Sequence, residues 1–425
     1  MEIPAEHMAK VLMLSLVFGP DTVSTANMMT ELAQGLQECG HEVTVLTSMP
    51  HYNPAQEVLS NPHYRAKLPK LYTDVSERGV RVIRVFMPLK GRKVWRRALD
   101  YIWFQSLTLV IGVLKAGRQD VIFVPSPPIT LGLNGFLLKV LLHGKMIYDV
   151  RELWPDVPVR MGLLKNKLLI RLAYAVENFV YRNSVAITSI ARSFNANLEA
   201  RGVPKKKLYF TPNFVDVEWL KPLPKDNAFA REHGLDNKFV IFYAGNIGLS
   251  QGLEILTKVA VDFEADRDVV FLVIGDGAAR LHLEQAVKDS GLQNICLLPF
   301  QPYRRVPETY ATADVSISPM KLGFSYDTVP SKIYTAMAAG RPVVAAAESD
   351  TETAMLIQES SAGLVVTPES AQEMIDAIKQ LRNSPELATW MGQNARRWVV
   401  AHYSKTAVID AYDKAIRRVA QDTRL

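Results

Sequence analysis

Apolar runs of strand length alternate with amphipathic stretches of helix length along almost the whole chain, and that alternation constrains the fold more than any other feature. A parallel strand pair cannot close with a tight turn. It needs a crossover of a dozen or more residues, usually a helix, so the pattern calls for βαβ units and parallel sheets. Strands are expected near Lys10–Phe18, Glu42–Ser48, Val80–Phe86, Asp120–Val124, Met146–Val150, Ser184–Thr188 and Lys207–Phe210. Helices fall between them, near Ser24–Cys39, Arg96–Ala116, Thr130–Leu142, Lys165–Arg182 and Ala191–Ala200.

The periodicity lapses in the Pro- and charge-rich stretch 216–237, which reads as a linker. A second series starts at Lys238, with strands near Phe239–Ala244, Val269–Ile274, Ile295–Leu298, Asp314–Ser318, Pro342–Ala346 and Gly363–Val366. Three helices close the chain, near Ser370–Leu381, Pro385–Ala401 and Lys405–Ala420. A chain of 425 residues exceeds one ordinary core. The expected fold is therefore α/β, with two Rossmann-like doubly wound domains facing a cleft. Residues 1–215 form the first, 216–237 the linker and 238–400 the second, while a helix in 401–425 packs back on the first.

Composition narrows the function classes. The two cysteines, Cys39 and Cys296, offer neither a metal-spaced cluster nor a disulfide framework, which favours a reducing compartment. The N-terminal residues lack the apolar core of a secretory signal, and the apolar run Tyr101–Leu114 is too short to span a bilayer. Residues 1–220 hold 27 Lys/Arg against 18 Asp/Glu, whereas the remainder is slightly acidic, so the first half suits an anionic partner. Within it, Lys90–Arg118 carries seven basic residues and one acid, Asp100, around an aromatic and apolar centre containing Trp103. Such a helix lies in a membrane interface, or it is a core helix with charged ends. The modest charge excess and the lack of any recognition module exclude nucleic acid.

The stretch Asp327–Ala345 holds the clearest anion site. A loop with Pro330 leads into a helix opening at Ser331, with Lys332 in its first turn, and Gly340 ends that helix just before a strand. The first N–H groups of a helix lack internal partners and sit at the positive end of its dipole, so they receive phosphate. The turn after the Val240–Ala244 strand contains Gly245, Asn246 and Gly248; it is an ordinary βα turn or a close approach to a ligand. The Gly275–Gly277 turn repeats the pattern without the third glycine of a dinucleotide fingerprint, and no GxxxxGK[ST] occurs. Asp266-Arg267-Asp268 precedes a strand and reads as a solvated loop, His41-Glu42 lacks a second histidine, and His51 stands alone in a loop. No metal is assigned.

Taken in order, several motifs resemble the family-4 retaining glycosyltransferases of the GT-B fold. They are GHEVTVLT (Gly40–Thr47), SPPITLG (Ser126–Gly132), YDVRELWPD (Tyr148–Asp156), TPNFVD (Thr211–Asp216), YAGNIGLSQGLE (Tyr243–Glu254), VIGDG (Val273–Gly277), YATADVSISP (Tyr310–Pro319) and VPSKIYTAMAAGRPVV (Val329–Val344). YDVRELWPD and VPSK look most like the bacterial branch that builds O-antigen, colanic acid and related surface polysaccharides. The family's paired glutamates align with Asp327 and Thr335, and its diphosphate-binding Arg and Lys align with Asn246 and Gln251. The resemblance therefore moves the cationic duty to Lys332.

What the resemblance implies is a cytoplasmic enzyme, peripheral on the inner face of the membrane through the 90–118 helix. It would move a sugar from a UDP- or GDP-linked donor, a substrate rather than a cofactor, to a polyprenyl-diphosphate-linked or saccharide acceptor. Donor-binding residues would be Gly245, Asn246, Gly248, Gln251, Gly275, Ser331, Lys332 and Thr335, with Asp327 near the sugar. Asp149, Arg151 and Glu152 would face sugar and acceptor, unless they form a structural ion pair. Two rival readings are a UDP-N-acetylhexosamine epimerase of the same fold and a degenerate, non-catalytic transferase subunit.

Overall fold

The computed structural model describes residues 8–422, except 22, 52–57, 59–60, 62–63, 65–70, 88–93, 161, 163 and 327–328, and describes 94–98 by backbone alone. Lys90, Arg92, Lys93 and Asp327 thus lie outside the described residues, as do the side chains of Arg96 and Arg97. The chain forms two compact units: residues 1–211 with 409–425, and residues 212–408. The linker-like stretch 216–237 folds with the second unit, where Arg396 donates to the carbonyls of Val217 and Leu220. The chain's last seventeen residues belong to the first unit.

The first unit is an eight-stranded sheet. Its strands are β1 (Lys10–Leu14), β2 (Glu42–Ser48), β3 (Tyr72–Glu77), β4 (Val80–Val85), β5 (Val121–Ser126), β6 (Lys145–Val150), β7 (Ala186–Ser189) and β8 (Leu208–Phe210). They stand in the order β3-β4-β2-β1-β5-β6-β7-β8, and all neighbours are parallel except β3 and β4. β1, β2, β5 and β6 are buried almost end to end, as strands covered on both faces must be. Strand β3 is missing from the expectations above. It pairs with β4 through a two-residue turn, Arg78-Gly79, in which both residues have positive φ. That geometry is the primed hairpin turn, but an arginine in place of Asn or Asp hides its sequence signal.

The second unit is a six-stranded parallel sheet of β9 (Phe239–Asn246), β10 (Val269–Asp276), β11 (Ile295–Leu298), β12 (Val315–Ser318), β13 (Val343–Ala346) and β14 (Gly363–Val366). The order β11-β10-β9-β12-β13-β14 places the first strand in the middle, with two wings wound outwards from it. Its core gathers Ile241, Tyr243, Phe271, Val273, Val315 and Ile317 from the strands against Leu256, Val259 and Ile378 from the helices.

Candidate functional site

Where an open parallel sheet reverses its winding, loops leave two adjacent strands in opposite directions and a crevice opens at their carboxyl ends. In the second unit this point lies between β9 and β12. The Gly245–Glu254 region leaves one side, and the other side leads through Pro319–Pro330 into the helix Ser331–Ala338.

Strand β9 runs two residues further than apolar content alone suggests. Gly245 pairs with Gly275 and Asn246 with Asp276 before the chain turns. A Cβ on Gly275 would stand 1.9 Å from the Gly245 carbonyl oxygen, so only glycine lets the two backbones close here. Beyond it, the Gly248 N–H donates to Gln251 Oε1 at 3.0 Å, and a Cβ on Gly248 would meet Gln251 Oε1 and Asn246 Nδ2. Gly245, Asn246, Gly248 and Gln251 therefore lie along one strand end and turn, and Gly275 packs against it from β10. The next helix, Ile255–Val261, starts only after a 3₁₀ turn over Leu249–Gln251.

The helix Ser331–Ala338 begins beside that turn. Pro330 occupies its cap position and no side chain among the described residues caps it, so its first N–H groups are presented rather than consumed locally. Ser331 is exposed, and Ile333, Tyr334, Ala336 and Met337 anchor the helix in the core. Lys332 reaches back over β9. Its Nζ donates to the Tyr243 hydroxyl at 2.7 Å and lies 4.1 Å from that ring's centre, and its Cε would be 3.4 Å from a Cβ on Gly245. Tyr243 passes the contact on, donating to the Asn246 carbonyl at 2.7 Å. No carboxylate lies within ion-pair distance of Lys332 among the described residues, and burial pulls its pKa down to about 7. An ammonium in this position gains a great deal from an incoming anion. Thr335 sits half-buried on the next turn, its hydroxyl 3.3 Å from the Ser331 carbonyl.

Other groups at this edge carried no motif in the sequence. Lys321, just past β12, donates its N–H to the Ser250 carbonyl at 2.9 Å and pairs with Glu254 at 2.7 Å, joining the two loops. Glu348, just past β13, accepts from Gly323 N–H and from the Ser325 hydroxyl. An acid directly after a buried strand, AAAE, is the signal that points to it.

In the first unit, the three residues of YDVRELWPD separate. Asp149 is fully buried at the end of β6, accepting from Thr188 at 2.8 Å, from the Tyr412 hydroxyl at 3.0 Å and from Arg151 at 3.3 Å. Arg151 is buried as well and also donates to the Met28 sulfur. The two form an interior network that fixes the final helix, Lys405–Gln421, through Tyr412. Glu152 is half-buried at the rim, 3.4 Å from Trp154 Nε1, and burial pushes its carboxyl pKa up. His51 is buried rather than open. Its Nδ1 lies 2.8 Å from Ser48 Oγ, and its backbone N–H donates to Asp21 Oδ1 at 2.9 Å.

Residues 225–398 match the family described as glycosyl transferases group 1, and residues 25–213 match the glycosyl transferase 4-like domain. The chain is 25% identical over 413 residues to the putative colanic acid biosynthesis glycosyl transferase WcaI of Escherichia coli K12, covering 91% of this chain and 96% of the relative. It is 26% identical over 339 residues to the probable glycosyltransferase WbjE of Pseudomonas aeruginosa, covering 77% and 82%. Among solved structures, Anabaena HepE in complex with UDP and glucose superposes with a TM-score of 0.72 at 14% identity, covering 96% of this chain and all of that one.

Proposed function

We propose, from the premise that the chain is a glycosyltransferase of family 4 and of the GT-B fold, that it moves a sugar with retention from a nucleoside-diphosphate donor to a lipid-linked or saccharide acceptor in surface-polysaccharide assembly. The observation that carries this reading is the β9/β12 crossing point. A helix start capped by proline, an ammonium with no carboxylate within ion-pair distance among the described residues, and a glycine turn converge there. Together they suit a diphosphate. HepE's complex with UDP and WcaI's name, colanic acid biosynthesis, agree with it.

Charge accounts for the chemistry. The bond from the sugar's anomeric carbon to the β-phosphate oxygen breaks, and its electron pair stays on the diphosphate. The acceptor hydroxyl oxygen bonds to that carbon from the same face, and its proton passes to a phosphate oxygen of the leaving group. Lys332 and the N–H groups of Ser331 and Lys332 stabilise the charge that develops. Gly245, Asn246, Gly248 and Gln251 bring backbone and amides against the nucleotide, with Gly275 making their approach possible; Thr335 would serve the ribose, and the family pattern gives the sugar to Asp327, which lies outside the described residues. Glu152 would meet the acceptor, while Asp149 and Arg151 would hold the strand end that carries its loop. No metal or cofactor is assigned a role.

Membrane contact at the first unit belongs to the same reading and rests on a broader surface than one helix. The helix Val94–Lys115 exposes Ile102, Val110 and Leu114. Its neighbour Leu131–Leu141 exposes Leu137 and Val140, and Lys167–Asn183 exposes Leu168 and Leu172. These helices pack in sequence, with Asn134 bonded to Thr108 and Phe136 against Phe179. Lys115, Lys139, Lys167 and Arg171 stand along them. Among the described residues, no helix is long and apolar enough to cross a membrane, so the contact would be interfacial.

Thermal-shift titration with UDP, GDP and their sugars tests the donor assignment. Stabilisation by one nucleotide, reduced in Lys332→Ala, is expected; no response to any nucleotide would overturn it.

A further inference from the structure

The second unit has a cavity at the edge opposite its donor loops. It measures about 650 Å³, in the range of small-molecule sites. Its walls are the amino-terminal ends of strands: Phe239 at the start of β9, Asp314 before β12, and the turn Gly340–Pro342 before β13. The helices Ala371–Asn383 and Pro385–His402 close it with Leu381, Ala388 and Gly392. The donor loops sit at the carboxyl ends of the same strands, so the two places lie on opposite rims of the sheet.

Four arginines face this space: Arg341, Arg382, Arg396 and Arg397. Arg382 is held by Asp266 and lies over the Phe239 ring. The other three have no carboxylate within ion-pair distance among the described residues. Arg396 donates only to carbonyls, those of Val217, Leu220 and Ala338, and Arg397 donates to Asn394. Arg341 is the least satisfied. One of its nitrogens donates to the Leu223 carbonyl at 3.1 Å, while its Nε is buried with no partner among the described residues. The one acid in the lining, Asp314, is already engaged by Lys225 at 2.5 Å and by the Val240 N–H at 2.7 Å. A buried guanidinium donor left unmade is costly, and burial lowers the Arg341 pKa accordingly. Much of the remaining lining is apolar, with Pro222, Phe239, Pro342, Leu381 and Ala388, and Thr389 and Gln393 are its uncharged polar side chains.

We propose that this cavity is a second ligand site, taking a small organic anion whose phosphate or carboxylate pairs with Arg341 and whose apolar or aromatic body fills the Phe239–Leu381 side. The fork of a guanidinium matches either acid group, and the apolar wall selects an anion with a body over a bare one. The site stands apart from the donor assignment, because no lining residue belongs to the donor turn or to the first turn of the Ser331–Ala338 helix.

Calorimetric titration of the full chain with phenyl phosphate, benzoate and inorganic phosphate tests it, run in the Lys332→Ala background so that the donor site does not contribute. At least one aromatic anion should bind about tenfold more tightly than inorganic phosphate. Thr389→Trp, at an exposed lining position, should block it, and Arg341→Met should weaken it by about tenfold or more. UDP stabilisation in the otherwise wild-type protein should survive Thr389→Trp. Equal affinity for inorganic phosphate, indifference to Thr389→Trp, or no binding up to roughly 10 mM would each overturn the proposal. A loss of UDP binding alone would count against the donor assignment and leave this site standing.

Discussion

Lys332 should make nucleotide binding consume a proton. In the free protein its pKa is about 7, because the ammonium is buried against Tyr243 and Gly245 with no carboxylate among the described residues to offset it. A bound diphosphate places opposite charge beside it and restores the ordinary lysine preference for the charged form. At pH 8, one unit above the free value, about nine-tenths of the lysine is neutral and must take up a proton on binding. At pH 6 about one-tenth is neutral, so little uptake remains. Between pH 7 and the raised pKa of the complex, affinity should fall by close to tenfold per pH unit, or about 1.4 kcal/mol. Calorimetry of UDP or GDP binding at pH 8 in two buffers of different ionisation enthalpy counts the protons directly. Wild type should take up close to one, and Lys332→Met close to none. No uptake by wild type, or the same uptake by both proteins, would refute the reasoning.

The same lysine bears on stability, with a definite sign. Its folded pKa lies below the unfolded value of 10.5, so the unfolded chain holds more protons between the two and nucleotide-free stability rises with pH there. Relative to Lys332→Met, wild type should gain on the order of 2 kcal/mol between pH 7 and 9, read from hydrogen exchange in the second unit; an unchanged difference contradicts the burial argument. Gly275→Ala should destabilise the second unit by several kcal/mol and abolish nucleotide binding, since its Cβ would overlap the Gly245 carbonyl. Tyr412→Phe removes one donor to the buried Asp149 and should lower first-unit stability by about 1–3 kcal/mol, measurable by denaturant melts. Ile102→Asp with Leu168→Asp places charge on exposed apolar positions of two helices and should reduce co-sedimentation with anionic vesicles about tenfold or more; unchanged co-sedimentation would refute the membrane surface.

The two sheets were largely legible because parallel strands buried on both faces leave long apolar runs, and those runs set the period. Strand β3 was not, for two physical reasons. As an edge strand it is only partly buried, and its turn uses Arg78 where the primed-turn signal is Asn or Asp. In the site, a glycine turn beside a helix start could be read directly, since each residue's role there is local. Asp149 and Arg151 could not be separated from Glu152 by sequence, because what distinguishes them is Tyr412, more than 250 residues away in the chain. Tyr243 was missed for the same reason. It looks like one more aromatic in a strand until Lys332 is laid across it.

A crystal structure of the complex with UDP or GDP would locate the donor diphosphate. Its phosphate oxygens should lie within hydrogen-bond reach of the Ser331 and Lys332 N–H groups and of Lys332 Nζ, with the nucleoside beside the Gly245–Gln251 turn. A nucleotide bound elsewhere on the second unit, with Lys332 still turned onto Tyr243, would contradict it.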